Sequence, residues 1–194
     1  SKVTVIEMLD HIAGNTDREI SEILLKNYQK KGVDFRLGSK VVEITGNAVV
    51  YEANGERVTV PADKVLMSIG RRPVVDGIGL ENIGVEVERG HIKVDEQGKT
   101  NVPEVYAAGD VNGYSMLAHT AYREAEVCIN NILGQKDRMR YNAIPSVIYT
   151  NPEVASVGET EETAKAKGID FEVAKLSMMY SGRYVAENEG GDGI

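Results

Sequence analysis

The most specific stretch of this 194-residue sequence is Thr100-Asn-Val-Pro-Glu-Val-Tyr-Ala-Ala-Gly-Asp110. Its second half predicts a short strand, Val105–Ala108, that leads directly into a glycine and an aspartate. Open α/β sheets bind ligands at the carboxyl ends of their parallel strands. We therefore expect Asp110 to accept a hydrogen bond from a sugar or ribityl hydroxyl, while Gly109 lets the ligand approach the backbone. The alternative is an Asx turn between a strand and a helix.

A helix is predicted a few residues after Asp110, from about Ala118 to Leu133, with Gly134 ending it. Its start carries the run Met116-Leu-Ala-His-Thr-Ala121. Unpaired amides at a helix N-terminus carry partial positive charge. This helix start therefore favours an anionic group.

The first part of the chain alternates strand and helix patterns. The predicted elements are the strand Val3–Glu7, the helix Thr16–Lys31 with a Thr16/Glu19 capping box, and strands at 33–37, 41–45, 48–52 and 57–60. Asn54-Gly55 predicts a hairpin turn, and the apolar run Lys64–Ile69 predicts a central strand buried on both faces. Glu7 ends the first strand, where dinucleotide-binding βαβ units place an acid that accepts from ribose hydroxyls. The glycine-rich turn of such a unit, about 20 residues earlier, would precede this sequence.

The last part is predicted to start near Asn142. It carries strands at 146–149, 154–157 and 171–177, and a helix Glu161–Lys167 between Thr160 as N-cap and Gly168. Residues 187–194 predict a turn.

Composition excludes several classes of function. The net charge is −8, from 22 basic and 30 acidic residues without long blocks, which argues against nucleic-acid partners. No apolar run reaches the roughly 18 residues of a membrane span. Cys128 is the only cysteine, so an internal disulfide and a multi-cysteine metal site are excluded, and a reducing, cytoplasmic compartment is expected. Cys128 is interpreted as a core thiol on an apolar face with Ile129 and Ile132, and His11 and His91 are expected at the surface.

Four stretches together carry a family resemblance. They are Ser68-Ile-Gly-Arg-Arg-Pro73, the stretch 100–110, Met116-Leu-Ala-His119, and Ile144-Pro-Ser-Val-Ile-Tyr-Thr-Asn-Pro-Glu-Val-Ala-Ser-Val-Gly158. In this order they resemble the dihydrolipoamide dehydrogenases, a branch of the pyridine nucleotide-disulfide oxidoreductases, over essentially the whole chain. Gly-Asp alone is shared with glutathione, trypanothione and mercuric reductases, whereas Met-Leu-Ala-His together with Glu7 is similar to the lipoamide branch.

The resemblance implies an α/β fold with partial FAD/NAD-binding Rossmann-like domains, followed by the start of an α+β dimerisation domain. Residues 1–72 would be the C-terminal part of the NAD-binding domain, 73–141 a central segment completing the FAD-binding domain, and 142–194 the N-terminal part of the dimerisation domain. The implied cofactor-binding residues are Glu7, Val41 and Gly70 for NAD, and Asp110, Met116, Leu117, Ala118 and His119 for FAD. No catalytic residue and no metal ligand is expected in this chain, because the family's redox cysteines and acid/base pair have no counterpart here.

By the same resemblance, the parent enzyme would use FAD to oxidise protein-bound dihydrolipoamide with NAD as acceptor. The chain would be a fragment lacking both ends and inactive alone. Expected partners are a second subunit and the lipoyl domains of 2-oxo acid dehydrogenase complexes or the glycine cleavage H-protein. Two alternatives stay open: another disulfide reductase, of the mercuric reductase or soluble transhydrogenase type, and a non-catalytic nucleotide-binding or dimerisation module.

Overall fold

Two compact units make up the chain in a computed structural model, which describes residues 1–188 and 193–194, with Asn188 described by its backbone alone. Unit 1 combines Ser1–Met67 with Pro145–Ile194, and unit 2 is Ser68–Ile144. The turn predicted for residues 187–194 lies largely outside the described residues.

Unit 1 begins with a β-α-β element. Strand β1 (Thr4–Ile6) pairs in parallel with β2 (Asp34–Arg36), and helix α1 (Arg18–Lys30) connects them. The predicted helix start is wrong by two residues. Asp17 caps α1 by accepting from the Glu19 amide, while the Thr16 hydroxyl donates to the carbonyl of Ala13. Aspartate is preferred over threonine at the N-cap position, which accounts for the difference.

An antiparallel three-stranded sheet follows, as the sequence predicts. It contains β3 (Lys40–Ile44), β4 (Ala48–Ala53) and β5 (Glu56–Pro61). Asn54 and Gly55 form the β4–β5 hairpin with φ of 52° and 82°, the positive angles that a two-residue hairpin needs.

The rest of unit 1 comes from the end of the chain. Strands β8 (Ser146–Ile148) and β9 (Val154–Ser156) form an antiparallel pair, and helices α4 (Glu161–Ala166) and α5 (Gly182–Asn188) follow. Thr160 caps α4 as predicted, in a capping box with Thr163. Lys175 joins this part to α1 through an ion pair with Glu19.

Unit 2 has small elements around one apolar cluster. Helix α2 (Leu80–Ile83) and the pair β6 (Val87–Glu88) and β7 (His91–Ile92) precede the long helix α3 (Ala118–Ile132). The cluster consists of buried residues from the region before α3, namely Val75, Val85, Ile92, Val94 and Ala107. Unit 2 therefore has a hydrophobic core of its own.

Three predicted strands are absent from the described part of the chain. Residues 64–69 and 171–177 have no strand structure, and 105–108 contributes only an isolated bridge between Tyr106 and Lys99. Leu66 is 90% exposed and Ile69 is 87% exposed. A strand needs a neighbour for its backbone N–H and C=O groups. Because no described residue pairs with the first two segments, their apolar patterns are not realised as strands.

Gly98 is required by a close approach inside unit 2. Its φ is +77°, and a Cβ atom there would collide with Sγ of the buried Cys128. Gly134 has a nearly equal φ of +78° with nothing within 4 Å of the corresponding position. An alanine at either position would strain the backbone, but only an alanine at position 98 would also overlap a neighbouring atom.

We predict that Gly98→Ala lowers the stability of the full-length protein more than Gly134→Ala does. Both changes add the strain of a positive φ, and Gly98→Ala adds overpacking worth about 1–3 kcal/mol. Thermal unfolding measures the difference. In a Cys128→Ala background the excess cost of Gly98→Ala should shrink, and an excess that persists there would contradict the assignment to the sulfur contact.

Candidate cofactor site

Gly109 and Asp110 form a turn in unit 2 in which Gly109 is buried and Asp110 is exposed at the surface. Gly109 has φ 84° and ψ −161°, and Asp110 begins a 3₁₀ turn, Asp110–Asn112. The Asp110 side chain is exposed, and its carboxylate has no hydrogen bond or salt bridge to any residue within 1–188 and 193–194. The sequence predicted a strand before this aspartate. The structure has an isolated antiparallel bridge instead, so Asp110 follows a turn and not the end of a parallel strand.

The start of α3 lies directly beside this turn. A Cβ atom at Gly109 would be 3.4 Å from Cβ of Ala121, which is in the first turn of α3. Unit 2 therefore places the residue directly before Asp110 against the first turn of α3.

The first turn of helix α3 contains no acidic side chain and no side-chain cap. Leu117 is the N-cap residue in extended conformation, and the first intrahelical bond runs from the Ala121 amide to the Leu117 carbonyl, 3.1 Å. Leucine cannot accept from the first amides, and the first turn holds no acidic side chain. Because helix N-termini attract negative charge, this end remains suited to an anionic ligand.

A buried carboxylate accepts a hydrogen bond from the Gly109–Asp110 turn. Glu124, in the second turn of α3, is 2% exposed. Its Oε2 accepts from the Gly109 amide at 2.5 Å, and its Oε1 accepts from the Tyr141 hydroxyl at 2.8 Å. Burial, with the hydrogen bond to Glu124, raises the pKa of Tyr141 far above its ordinary value. Tyr141 therefore remains a neutral donor.

The other side of the turn is fixed by aromatic and amide contacts. The rings of Tyr114 and Tyr141 stack with centroids 4.6 Å apart, and the Tyr114 hydroxyl donates to the Val94 carbonyl at 3.2 Å. Asn112 is 1% exposed; its Oδ1 accepts from the Tyr114 amide, while its Nδ2 has no acceptor within the described chain. The turn is thus connected to the core of unit 2.

The predicted NAD-side residues are divided between the units. Glu7 follows β1, and its backbone continues the ladder: its amide donates to the Arg36 carbonyl, and its carbonyl accepts from Ser39, both at 2.9 Å. The Glu7 carboxylate accepts from the Leu9 amide at 2.8 Å. Val41 is exposed on β3, two residues after Ser39. Gly70 belongs to unit 2, in an exposed segment with φ 109°.

Cys128 is buried as predicted, but its predicted surroundings are wrong. It is 6% exposed, whereas Ile129 and Ile132 are more than half exposed. The buried stripe of α3 is Thr120, Glu124, Val127 and Cys128, so the apolar face was misplaced by about a quarter of a turn. Burial, and then the nearby Glu124 carboxylate, raise the pKa of the Cys128 thiol.

His11 is only partly exposed and contacts Asp10 at 2.7 Å, and His91 is half-buried. Neither is an open surface histidine. Across residues 1–188 and 193–194 no group of three or more His, Cys, Asp or Glu side chains could hold a metal ion. Over the same residues no helix is long and apolar enough to cross a membrane.

Two models of known protein families match this chain. Residues 1–125 match the model of pyridine nucleotide-disulphide oxidoreductases, and residues 144–194 match that of the dimerisation domain of the same proteins. The chain belongs to the pyridine nucleotide-disulphide oxidoreductase family. The expected α/β fold class, with a nucleotide-binding part followed by a dimerisation domain, is confirmed.

Curated members of this oxidoreductase family include proteins similar to the chain throughout its length. Dihydrolipoyl dehydrogenase 3 of Pseudomonas putida is 43% identical over 97% of the chain, and dihydrolipoyl dehydrogenase of Geobacillus stearothermophilus is 40% identical over 97%. Leghemoglobin reductase of Glycine max is 40% identical over 94%. The chain spans 42%, 41% and 36% of these relatives, respectively. The resemblance to dihydrolipoamide dehydrogenases is confirmed.

Solved structures of the family share the fold. LpdA from Mycobacterium tuberculosis has a TM-score of 0.83 at 26% identity, covering 96% of this chain and 41% of that one. The Cu(II) complex of the HOCl-induced flavoprotein disulfide reductase RclA from Escherichia coli has a TM-score of 0.82 at 26% identity, covering 99% and 45%.

Sequence reasoning missed Glu124, the residue beneath the candidate site of this oxidoreductase chain. A signal was present, because Glu124 is four residues after Thr120 and four before Cys128, on one helical stripe. A glutamate on the stripe that packs into the core predicts a buried, hydrogen-bonded acid. The apolar face was instead assigned through Ile129 and Ile132, which removed Glu124 from consideration.

We predict that Cys128 is unreactive in the native full-length protein. With its pKa raised, less of the nucleophilic thiolate exists at pH 8 than for a free cysteine, and the sulfur is also sterically covered. Iodoacetamide labelling of the tryptic peptide 124–136, followed by mass spectrometry, should be at least about tenfold slower in native protein than in urea. Equal rates would mean that the thiol is accessible.

Proposed function

We propose that this chain is part of a dihydrolipoamide dehydrogenase, which oxidises protein-bound dihydrolipoamide by means of FAD with NAD as acceptor. The observation that carries the proposal is the open Asp110 carboxylate beside the uncapped start of α3, in a chain 43% identical to a dihydrolipoyl dehydrogenase. Since the chain spans about two fifths of that relative, the activity is a property of the whole protein.

The residues of unit 2 fit FAD. Asp110 is an exposed acceptor without a protein partner in the described chain, and the buried Gly109 before it fixes the backbone from which its side chain projects. Its carboxylate would accept from a ribityl hydroxyl, and Met116–His119 would lie against the pyrimidine end of the flavin. The N-terminus of α3 would stabilise negative charge there. FAD, when bound, supplies the two-electron chemistry between a dithiol and NAD.

The domain assignment is part of the same proposal. Residues 1–72 would complete the NAD-binding domain, with Glu7, Val41 and Gly70 near NAD. Residues 73–141 would complete the FAD-binding domain, and 142–194 would begin the dimerisation domain. The family match of residues 144–194 supports a homodimer.

The proposed setting follows from the activity. The partners would be lipoyl domains of 2-oxo acid dehydrogenase complexes or the glycine cleavage H-protein, in a reducing compartment such as the cytoplasm. The competing proposal is another disulfide reductase, and similarity to leghemoglobin reductase and RclA supports it. Steady-state oxidation of dihydrolipoamide by the full-length enzyme with NAD tests the choice. An enzyme that binds FAD but does not turn over dihydrolipoamide would favour the competitor.

We predict that Asp110→Ala weakens FAD binding by the full-length protein. The lost charge-assisted hydrogen bond is worth about 1.5–3 kcal/mol, which corresponds to roughly a ten- to hundredfold lower affinity. FAD titration of the apoprotein measures it. Asp76→Ala, which removes another exposed carboxylate of unit 2, is the matched control and should leave the affinity unchanged. Equal FAD affinity in Asp110→Ala and wild type would remove Asp110 from the site.

We predict that the full-length enzyme prefers NAD to NADP by about a hundredfold in kcat/KM. A 2′-phosphate carries a charge of about −1.5 to −2, and at about 4 Å with an effective dielectric of about 20 each like charge costs up to about 4 kcal/mol before screening. Screening reduces this cost to about 2–3 kcal/mol. Because each 1.4 kcal/mol is about tenfold, the remaining cost corresponds to a preference of about a hundredfold. The two arginines nearest to Glu7 in the sequence already form ion pairs: Arg18 with Asp10 at 3.1 Å and Arg36 with Asp34 at 2.9 Å.

The variant Glu7→Gln tests the cause of this preference. It should raise kcat/KM for NADP by about tenfold, because the like charge is removed. Glu43→Gln, on exposed β3 in the same unit, is the control and should change neither cofactor's kinetics. Comparable efficiency of the wild type with NADP and NAD would refute the assignment of Glu7.

A further inference from the structure

We propose that Glu124 is a positioning residue for FAD, acting through the Gly109–Asp110 turn. The proposal rests on the function given above, in which Asp110 binds the cofactor. Glu124 itself does not contact the cofactor in this account. Its carboxylate fixes the backbone that carries Asp110.

The direction of the first hydrogen bond is unambiguous. A backbone amide can only donate, so Oε2 of Glu124 accepts from Gly109, at 2.5 Å. The bond ends on the residue directly before Asp110, so a displacement of Gly109 displaces the Asp110 carboxylate with it. Because the Asp110 side chain has no partner within the described residues that could hold it otherwise, this backbone anchor sets its location.

The second hydrogen bond keeps the Glu124 carboxylate in place. Tyr141 donates to Oε1 at 2.8 Å, and its ring stacks on Tyr114 with an interplanar angle of 17°. Tyr114 in turn donates to the carbonyl of Val94, a residue of the unit 2 core. The carboxylate is therefore held from the helix on one side and from the core on the other.

Both partners of Glu124 in the described chain are neutral donors, and the carboxylate is almost fully buried. A buried donor without its acceptor is strongly disfavoured. Replacing Glu124 with an apolar residue leaves both the Gly109 amide and the Tyr141 hydroxyl without a hydrogen-bond acceptor. We expect the turn to shift so that the Gly109 amide can donate to water instead. This shift moves Asp110 away from its binding position.

The experiment measures FAD affinity and apoprotein stability separately in the full-length protein. In Glu124→Leu, which keeps much of the buried volume, we expect the FAD dissociation constant to rise at least tenfold. In Tyr141→Phe, which keeps the ring stacking, we expect a three- to tenfold rise. Glu126→Gln, an exposed change on the same helix that alters only a surface ion pair with Arg123, should bind FAD like the wild type.

Glu124→Gln tests the hydrogen-bond geometry directly. Its amide oxygen can accept from Gly109 while its amide nitrogen donates to the Tyr141 oxygen. We therefore expect rescue, with a dissociation constant within threefold of the wild type. A purely structural role predicts a different pattern, in which melting temperatures of the apoprotein fall while FAD affinity does not.

Two results overturn the inference. One is Glu124→Leu with a lowered melting temperature but unchanged FAD affinity. The other, which decides the matter if Glu124→Leu does not fold, is unchanged FAD affinity in Tyr141→Phe. Failure of the proposed function looks different: the wild type binds no FAD, or Asp110→Ala binds it normally.

Discussion

The bond between the Glu124 carboxylate and the Gly109 amide is the constraint on which the candidate site depends. It joins a helix to a turn 15 residues earlier in the chain, and the second oxygen of the same carboxylate joins the helix to Tyr141, 17 residues later. Without it, the turn would be held by its own 3₁₀ geometry, by packing and by the hydrogen bond from the Tyr114 amide to Asn112. A charged group in a protein interior is costly unless it is hydrogen-bonded, and here each carboxylate oxygen has a donor.

Two carboxylates near the start of α3 have opposite surroundings. Asp110 is exposed and open to a ligand, whereas Glu124 is covered and already used by the protein. The helix dipole acts mainly within the first turn, and Glu124 is in the second. Its stabilisation therefore comes from directed hydrogen bonds, and the positive end of α3 remains for an anionic group outside the protein.

The sequence predictions are accurate where an element depends on residues close in sequence, and inaccurate where it depends on residues distant in sequence. The Asn54-Gly55 hairpin, the Thr160 cap and the extent of α3 depend on neighbours within a few residues, and they are confirmed. The strands at 64–69 and 171–177 depend on partners that no local pattern specifies, and they are absent from the described residues. The functional importance of Asp110 stays a prediction. Glu124 was missed because its partners are distant in sequence and because the buried face of α3 was assigned through Ile129 and Ile132.

The candidate FAD residues Asp110 and Met116–His119 are fixed within one unit, and that unit has its own core. Each step from core to site is a short contact: Val94 to Tyr114, Tyr114 to Tyr141, Tyr141 to Glu124, and Glu124 to Gly109. A binding residue on a loop is as accurately placed as the contacts that support its backbone. A glycine at position 109 would, by its flexibility, let the turn drift. The buried Glu124 carboxylate removes that freedom by binding the Gly109 amide, so the exposed Asp110 side chain projects from a fixed backbone.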